Sequence, residues 1–227
     1  MKTWIFRLSI SLNIVIIVLV LGAWINKNVI IRQFLLTIYD ARVSFFDSFP
    51  LDSGDIVMLG DSITEGAEWS EVFPELPVKN RGIGGDTTAG VLARLQSIVV
   101  RKPAAIFLKI GTNDLTMGPE RDVSYQQYRD IVATIQASSP NTDIYVQSVL
   151  PRGVELQGDV EDYNIKILAI ANELGVTYID LYSSFLDPDG SIRDELTLDE
   201  IHLSGPGYRL WQSLLEPTML KYTRQSQ

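Results

Sequence analysis

Beyond residue 54 the chain alternates short runs of β-prone apolar residues with longer stretches whose apolar positions recur at helical spacing. That alternation restricts the fold more than any other feature. The short runs are Ile56–Leu59, Val78–Asn80, Ala105–Ile110, Ile144–Val149 and Val176–Ile179, and they predict five strands. The helical stretches fall at about 87–101, 122–138, 159–174 and 205–222; in the first of them Thr88, Val91, Leu92 and Leu95 lie on one face. Strands joined through helices form right-handed βαβ units and a parallel sheet covered on both faces. Five such strands predict an α/β protein, a three-layer α/β/α sandwich with a flavodoxin-like sheet.

The first 53 residues are of another kind. From Leu8 to Asn26 there are 19 uncharged residues, dominated by Ile, Val and Leu, between Arg7 and Lys27. As a helix they span roughly 28 Å, close to the ~30 Å hydrocarbon core of a bilayer. Trp4 and Trp24 stand near the two ends, where interfacial aromatics belong. Residues 1–27 therefore read as a transmembrane helix that anchors the chain. A cleaved secretory signal is the competing reading, but Val20-Leu21-Gly22-Ala23 offers no good small-x-small cleavage site. Both readings export the rest of the chain, so the expected location is membrane-anchored with the globular part periplasmic or extracellular. Residues 28–53 are expected to form a juxtamembrane amphipathic helix and linker. Val29, Ile30, Phe34, Leu35, Ile38, Tyr39, Val43 and Phe46 recur at helical spacing, and the turn-rich stretch 48–54 closes the segment before a domain at 54–227.

Composition then narrows the chemistry. There are no cysteines and one histidine, which excludes thiolate and multi-histidine zinc sites, and no acidic spacing resembles a calcium loop. No metal and no cofactor is implied. Residues 1–42 hold five basic residues and one acid, leaving 14 basic against 27 acidic residues in the remainder. Such a surface repels phosphate backbones, so no nucleic-acid partner is expected.

The single histidine, His202, lies three residues after Asp199. Far upstream, Gly60-Asp61-Ser62 follows the first predicted strand, which places Ser62 at the carboxyl edge of the sheet. A serine hydroxyl becomes a nucleophile when a base removes its proton. Imidazole suits that task near neutral pH, and a neighbouring carboxylate can fix its tautomer. Two further loops reach the same edge: Asn80-Arg81-Gly82-Ile83-Gly84-Gly85-Asp86-Thr87 after strand two and Gly111-Thr112-Asn113-Asp114 after strand three. A glycine amide and an Asn carboxamide there can supply the donors that an acyl-transfer oxyanion needs. Plainer roles are also open: a tight turn into a helix capped by Asp86 or Thr87, an ordinary turn at Asn113, and an Asp61 that only braces its neighbours' amides.

Gly-Asp-Ser, a loop glycine, Gly-x-Asn-Asp and a late Asp-x-x-His, in this order over about residues 54–212, resemble the SGNH or GDSL hydrolases. Gly82-Ile83-Gly84-Gly85-Asp86-Thr87-Thr88, Val149-Leu150-Pro151-Arg152-Gly153 and Ile201-His202-Leu203 with Gly207-Tyr208 look like the branch containing the platelet-activating factor acetylhydrolase catalytic subunits and related bacterial esterases. The resemblance implies a serine esterase with Ser62 as nucleophile, His202 as general base and Asp199 orienting it. It also implies an oxyanion hole from the Ser62 amide, the Gly85 amide and the Asn113 side chain, with Asp61 in support. The expected substrate is an O-acetyl or other short acyl ester, a small molecule or a glycan. A lysophospholipase or thioesterase acting on longer chains is the alternative within enzymes, and a non-catalytic carbohydrate-binding module the alternative outside them.

Overall fold

The computed structural model describes residues 2–223, and several side chains before residue 36 lie outside that description. In chain order the elements are α1 (Lys2–Ser48), β1 (Ile56–Gly60), α2 (Ser62–Glu65), α3 (Trp69–Val72), β2 (Val78–Gly82), α4 (Thr88–Val99), β3 (Ala105–Lys109), α5 (Arg121–Ser138), β4 (Asp143–Gln147), α6 (Gln157–Leu174), β5 (Thr177–Ile179), α7 (Tyr182–Phe185) and α8 (Gly205–Thr223). The strands form one parallel sheet in the order β2-β1-β3-β4-β5.

The sheet is buried on both faces because its strands carry apolar residues at consecutive positions. Val57, Leu59, Ile106, Leu108, Ile144 and Val146 pack with α4, α5 and α6 in one core. The alternate positions Ile56, Met58, Ala105, Phe107 and Tyr145 pack with α8, Trp69, Phe73 and Phe185 in another. This is the three-layer arrangement expected from the alternation. Gly60 pairs with Gly82 on one side and with Lys109 on the other, so β1, β2 and β3 end level with one another. Three loops consequently leave the sheet side by side.

The strand ends differ from the sequence expectation for local reasons. β4 stops at Gln147 and not at Val149: the Ser148 amide makes a last bond to the Ile179 carbonyl, and past it side chains take over the backbone groups. Ser148 Oγ accepts the Leu181 and Tyr182 amides, and Asn164 bonds both the N–H and the C=O of Val149. β2 runs on through Gly82, whose amide donates to the Asn80 side chain at 2.8 Å.

The chain divides into two units between Phe45 and Phe46. Phe46 and Leu51 are already interior residues of the second unit. There the Arg81 guanidinium lies 4.6 Å above the Phe46 ring, and its Nη2 donates to the Phe49 carbonyl at 2.8 Å. The helix expected over 28–53 continues the one before it, the two being one element, α1. No proline interrupts the sequence before Pro50, and Gly22 is tolerated in the helix interior. Among the described residues no helix is long and apolar enough to cross a membrane. The expected transmembrane helix therefore finds no support there. Within that stretch the side chains of Leu8, Ser9, Ser11, Val18, Leu19 and residues 23–26 lie outside the described residues.

Candidate active site

Ser62 is the first residue of the one-turn helix α2, directly after β1. Asp61 caps that helix: its Oδ1 accepts the Ile63 amide at 3.0 Å and its carbonyl accepts the Glu65 amide. The bracing role open to Asp61 is thus real. A first-turn amide has no partner within its own helix, so the Ser62 N–H is free to point at a ligand. The far end of α2 is tied to β2, where Asn80 Nδ2 donates to the carbonyls of Glu65 and Ala67.

His202 arrives on a tight loop closed by a bridge between Thr197 and Leu203. Its own carbonyl accepts the Leu198 amide and the Thr197 hydroxyl. Asp199 Oδ1 takes the His202 amide at 2.7 Å, and Oδ2 lies 2.8 Å from His202 Nδ1. A carboxylate only accepts, so the imidazole proton sits on Nδ1 and the Nε2 lone pair is left free. Ser62 Oγ lies 3.0 Å from that Nε2. The His202 amide, and then its ring, hold the Asp199 carboxyl below the ordinary carboxylate range. α8 starts just after this loop, and its Tyr208 hydroxyl donates to the Ile63 carbonyl at 2.9 Å, linking the histidine loop to α2. Residues 140 positions apart in sequence thus meet as Ser–His–Asp.

The loop after β2 flanks the serine: a Cβ built on Gly84 would stand 3.9 Å from Ser62 Cβ. Gly85 has φ +75° with nothing within 4 Å of an added Cβ, so backbone conformation and not space calls for glycine. Its exposed amide makes no hydrogen bond within the described chain. Asn113 Nδ2 donates to the Asp86 carbonyl at 2.8 Å, which fixes the carboxamide and leaves its second N–H available. The neighbouring Asp114 does something else. It is buried and accepts from the Thr88 amide and hydroxyl and from Ser124, joining the starts of α4 and α5. Among the described residues no cluster of three or more His, Cys, Asp or Glu could hold a metal ion.

Two residues at this edge, Lys109 and Arg94, were not singled out from sequence, and a third, Arg152, was named there only as part of a motif. Lys109, at the end of β3, is fully buried with Nζ 3.9 Å from Asp61 Oδ1, and burial pushes its pKa down. Arg152 Nη1 donates to Thr112 Oγ1 at 3.0 Å, beside Asn113. Arg94 pairs with Asp86 beneath the glycine loop after β2. A lysine closing an otherwise apolar strand was one available signal. The other was an arginine at position 94, three residues after Val91, on the inward face of α4.

Ser62, His202 and Asp199 thus stand together at the carboxyl edge of a parallel sheet, an arrangement that suits a hydrolase of the serine type. The model of the GDSL-like Lipase/Acylhydrolase family matches residues 58–210, and the chain belongs to that family of ester hydrolases. Its sequence is 32% identical over 184 residues to platelet-activating factor acetylhydrolase IB subunit alpha2 of Rattus norvegicus, covering 74% of this chain and 79% of the relative. The fold is similar to that of a Streptococcus pneumonia protein described as a platelet activating factor, with a TM-score of 0.75, 23% identity and coverage of 84% and 96%. It is also similar to that of an acetyl xylan esterase, with a TM-score of 0.64, 22% identity and coverage of 72% and 98%.

Proposed function

We propose that this chain is a serine ester hydrolase that works through an acyl-enzyme on O-acetyl or other short acyl esters, glycan esters among them. The observation that carries the reading is the continuous path from Ser62 Oγ to His202 Nε2 at 3.0 Å and from Nδ1 to Asp199 at 2.8 Å. Nε2 takes the Ser62 proton as Oγ bonds to the ester carbonyl carbon. The Ser62 and Gly85 amides and the Asn113 carboxamide receive the negative oxygen. The imidazolium returns its proton to the departing alkoxide as the C–O bond breaks. Water, deprotonated by the same imidazole, then releases the acid and restores Ser62.

The acyl preference draws on two supports. The 32%-identical relatives are named acetylhydrolases, and the acetyl xylan esterase shares the fold. The loops around the site are also short: α2 and α3 take up the β1–β2 connection, and residues 110–120 join β3 to α5. Neither leaves material for a lid over a long chain. A second reading, with longer acyl groups, is favoured by exposed Met117, Val154 and Leu198, which lie on three loops that also carry Asn113, Arg152 and Asp199.

We further read residues 1–27 as a membrane anchor, 28–53 as its juxtamembrane continuation, and the hydrolase domain from residue 54 as exported. Ile14, Val15, Ile16 and Ile17 are consecutive, helical and exposed. Four successive residues point all round a helix, so one partner face could not cover them and a bilayer could. The full-length protein should stay in the membrane fraction through high-salt and carbonate washes. Release of a chain beginning near Trp24 would instead mean a cleaved signal.

The test of the activity uses the single histidine. With any affinity tag removed, hydrolysis of p-nitrophenyl acetate should rise with pH along the titration of the one imidazole signal in proton NMR. Absence of hydrolysis would return the domain to a binding module, and a limb displaced from that titration would assign the base elsewhere.

A further inference from the structure

The geometry points to Arg94, acting through Asp86, as the positioning residue that sets the oxyanion donors relative to the nucleophile. This inference rests on the esterase reading above. Arg94 lies on the inner face of α4 with a buried side chain, and its planar guanidinium is shared among the ends of β1 and β2 and the loop that carries Asp86. Nε donates to Asp86 Oδ2 at 2.8 Å, while Nη2 donates to the Gly60 carbonyl at 3.1 Å and to the Arg81 carbonyl at 2.9 Å. Gly60 ends the strand that carries Ser62, and Arg81 precedes the glycine loop. Asp86 follows Gly85, and its amide bonds to the Ile83 carbonyl to close the turn in which Gly85 takes its positive φ. The Asp86 carbonyl, in turn, accepts the Asn113 carboxamide. One ion pair therefore cross-links the sources of all three donors: the β1 turn, the Gly85 peptide and Asn113.

Arg94 and Asp86 do not meet the reacting atoms. Their effect is on where the donors stand. A buried ion pair is weak as a source of stability, because desolvation offsets much of its attraction. Its value here lies in geometry. A flat fork reaches three acceptors at once, and a lysine, being a point charge with rotating donors, does not. Oxyanion donors act on charge that develops in the transition state, so displacing them by a fraction of an ångström should lower kcat and leave KM nearly unchanged.

The experiment is a double-mutant cycle on the full-length protein, with Arg94→Lys and Asp86→Asn each made alone and with Asn113→Ala. On p-nitrophenyl acetate, either single variant should lower kcat by about 10–100-fold with KM within about threefold. In the Asn113→Ala background, where one of the three donors is already gone and only the Ser62 and Gly85 amides remain to be displaced, the same substitution should cost at least about threefold less than it does in wild type. An equal fold-loss in both backgrounds, or a change confined to melting temperature, would make the pair merely structural and overturn the proposal. Amide hydrogen exchange gives an activity-independent readout. In Arg94→Lys, exchange should quicken across residues 82–88 while strand 105–109 keeps its protection. If the wild-type protein hydrolyses no ester, the esterase reading fails, and exchange alone decides the clamp: unchanged exchange across 82–88 overturns it.

Discussion

Replacing Gly82 by alanine should damage catalysis without touching a catalytic group. Gly82 ends β2 with its α-carbon against the backbone of α2, the helix that begins with Ser62. An alanine Cβ would run into the Glu65 nitrogen and stand 2.7 Å from both Glu65 Cα and the Thr64 carbonyl carbon. Favourable contacts begin near ~3.5 Å, so α2 and β2 must part by about 1 Å, and no side-chain rotation can absorb the clash. Ser62 Oγ is now 3.0 Å from His202 Nε2, and a displacement of that size carries the pair beyond hydrogen-bond range. Overpacking should cost roughly 1–3 kcal/mol of stability, lowering the melting temperature by about 2–4 °C per kcal/mol in a domain of this size. The loss in kcat/KM should be larger, on the order of 10²-fold, as expected for a misplaced catalytic pair. Calorimetry and p-nitrophenyl acetate kinetics on the same preparation give both numbers. Activity within a few-fold of wild type in a folded Gly82→Ala protein would show that the β2–α2 contact does not set the position of Ser62.

Asn113→Ala should lower kcat by about 10²–10³-fold, the usual loss for one oxyanion donor, and a change confined to KM would make Asn113 a substrate-binding residue. For Asp86, burial raises the carboxyl pKa to about 6 despite Arg94. The folded state therefore holds this proton more tightly than the unfolded state, and the contribution is full below pH 3.8 and lost as pH rises through about 6. The melting temperature of wild type relative to Asp86→Asn should accordingly fall between those limits and level off above them, and a rise over that range would reverse the sign of the burial argument. Along p-nitrophenyl esters from acetate and butyrate to octanoate and palmitate, kcat/KM should decline, because each methylene gains ~0.8 kcal/mol only where there is surface to bury it. A steady rise with chain length would favour the second reading, in which Met117, Val154 and Leu198 receive the acyl group.

Apolar runs and helical spacing were enough to place the five strands and the long helices α4, α5, α6 and α8, since parallel strands and amphipathic helices write their burial directly into the sequence. Short helices such as α2 and α3 have too few residues to show a period. The end of β4 depends on Ser148 and Asn164 taking over backbone groups, an arrangement that exists only after folding. At the site, Ser62, His202, Asp199 and Asn113 were legible because each belongs to a short motif at a strand or helix end. Arg94 and Lys109 were not, for a physical reason: a charged residue in an apolar pattern reads as an interruption until its partners are known. Their partners, Asp86 and Asp61, stand on other loops that only the sheet register brings alongside. The N-terminal stretch shows the reverse relation. Its composition raised the expectation of a membrane span, whereas among the described residues no helix is long and apolar enough to cross a membrane.

The central claim is that Ser62 is the nucleophile. A fluorophosphonate reacts with an activated serine and stays attached, so its site can be read by peptide mass spectrometry after incubation with the full-length protein. The account predicts a single adduct on Ser62, abolished in Ser62→Ala and strongly slowed when His202 is replaced, with ester hydrolysis lost in parallel. An adduct on a different residue, or hydrolysis persisting in Ser62→Ala, would contradict it.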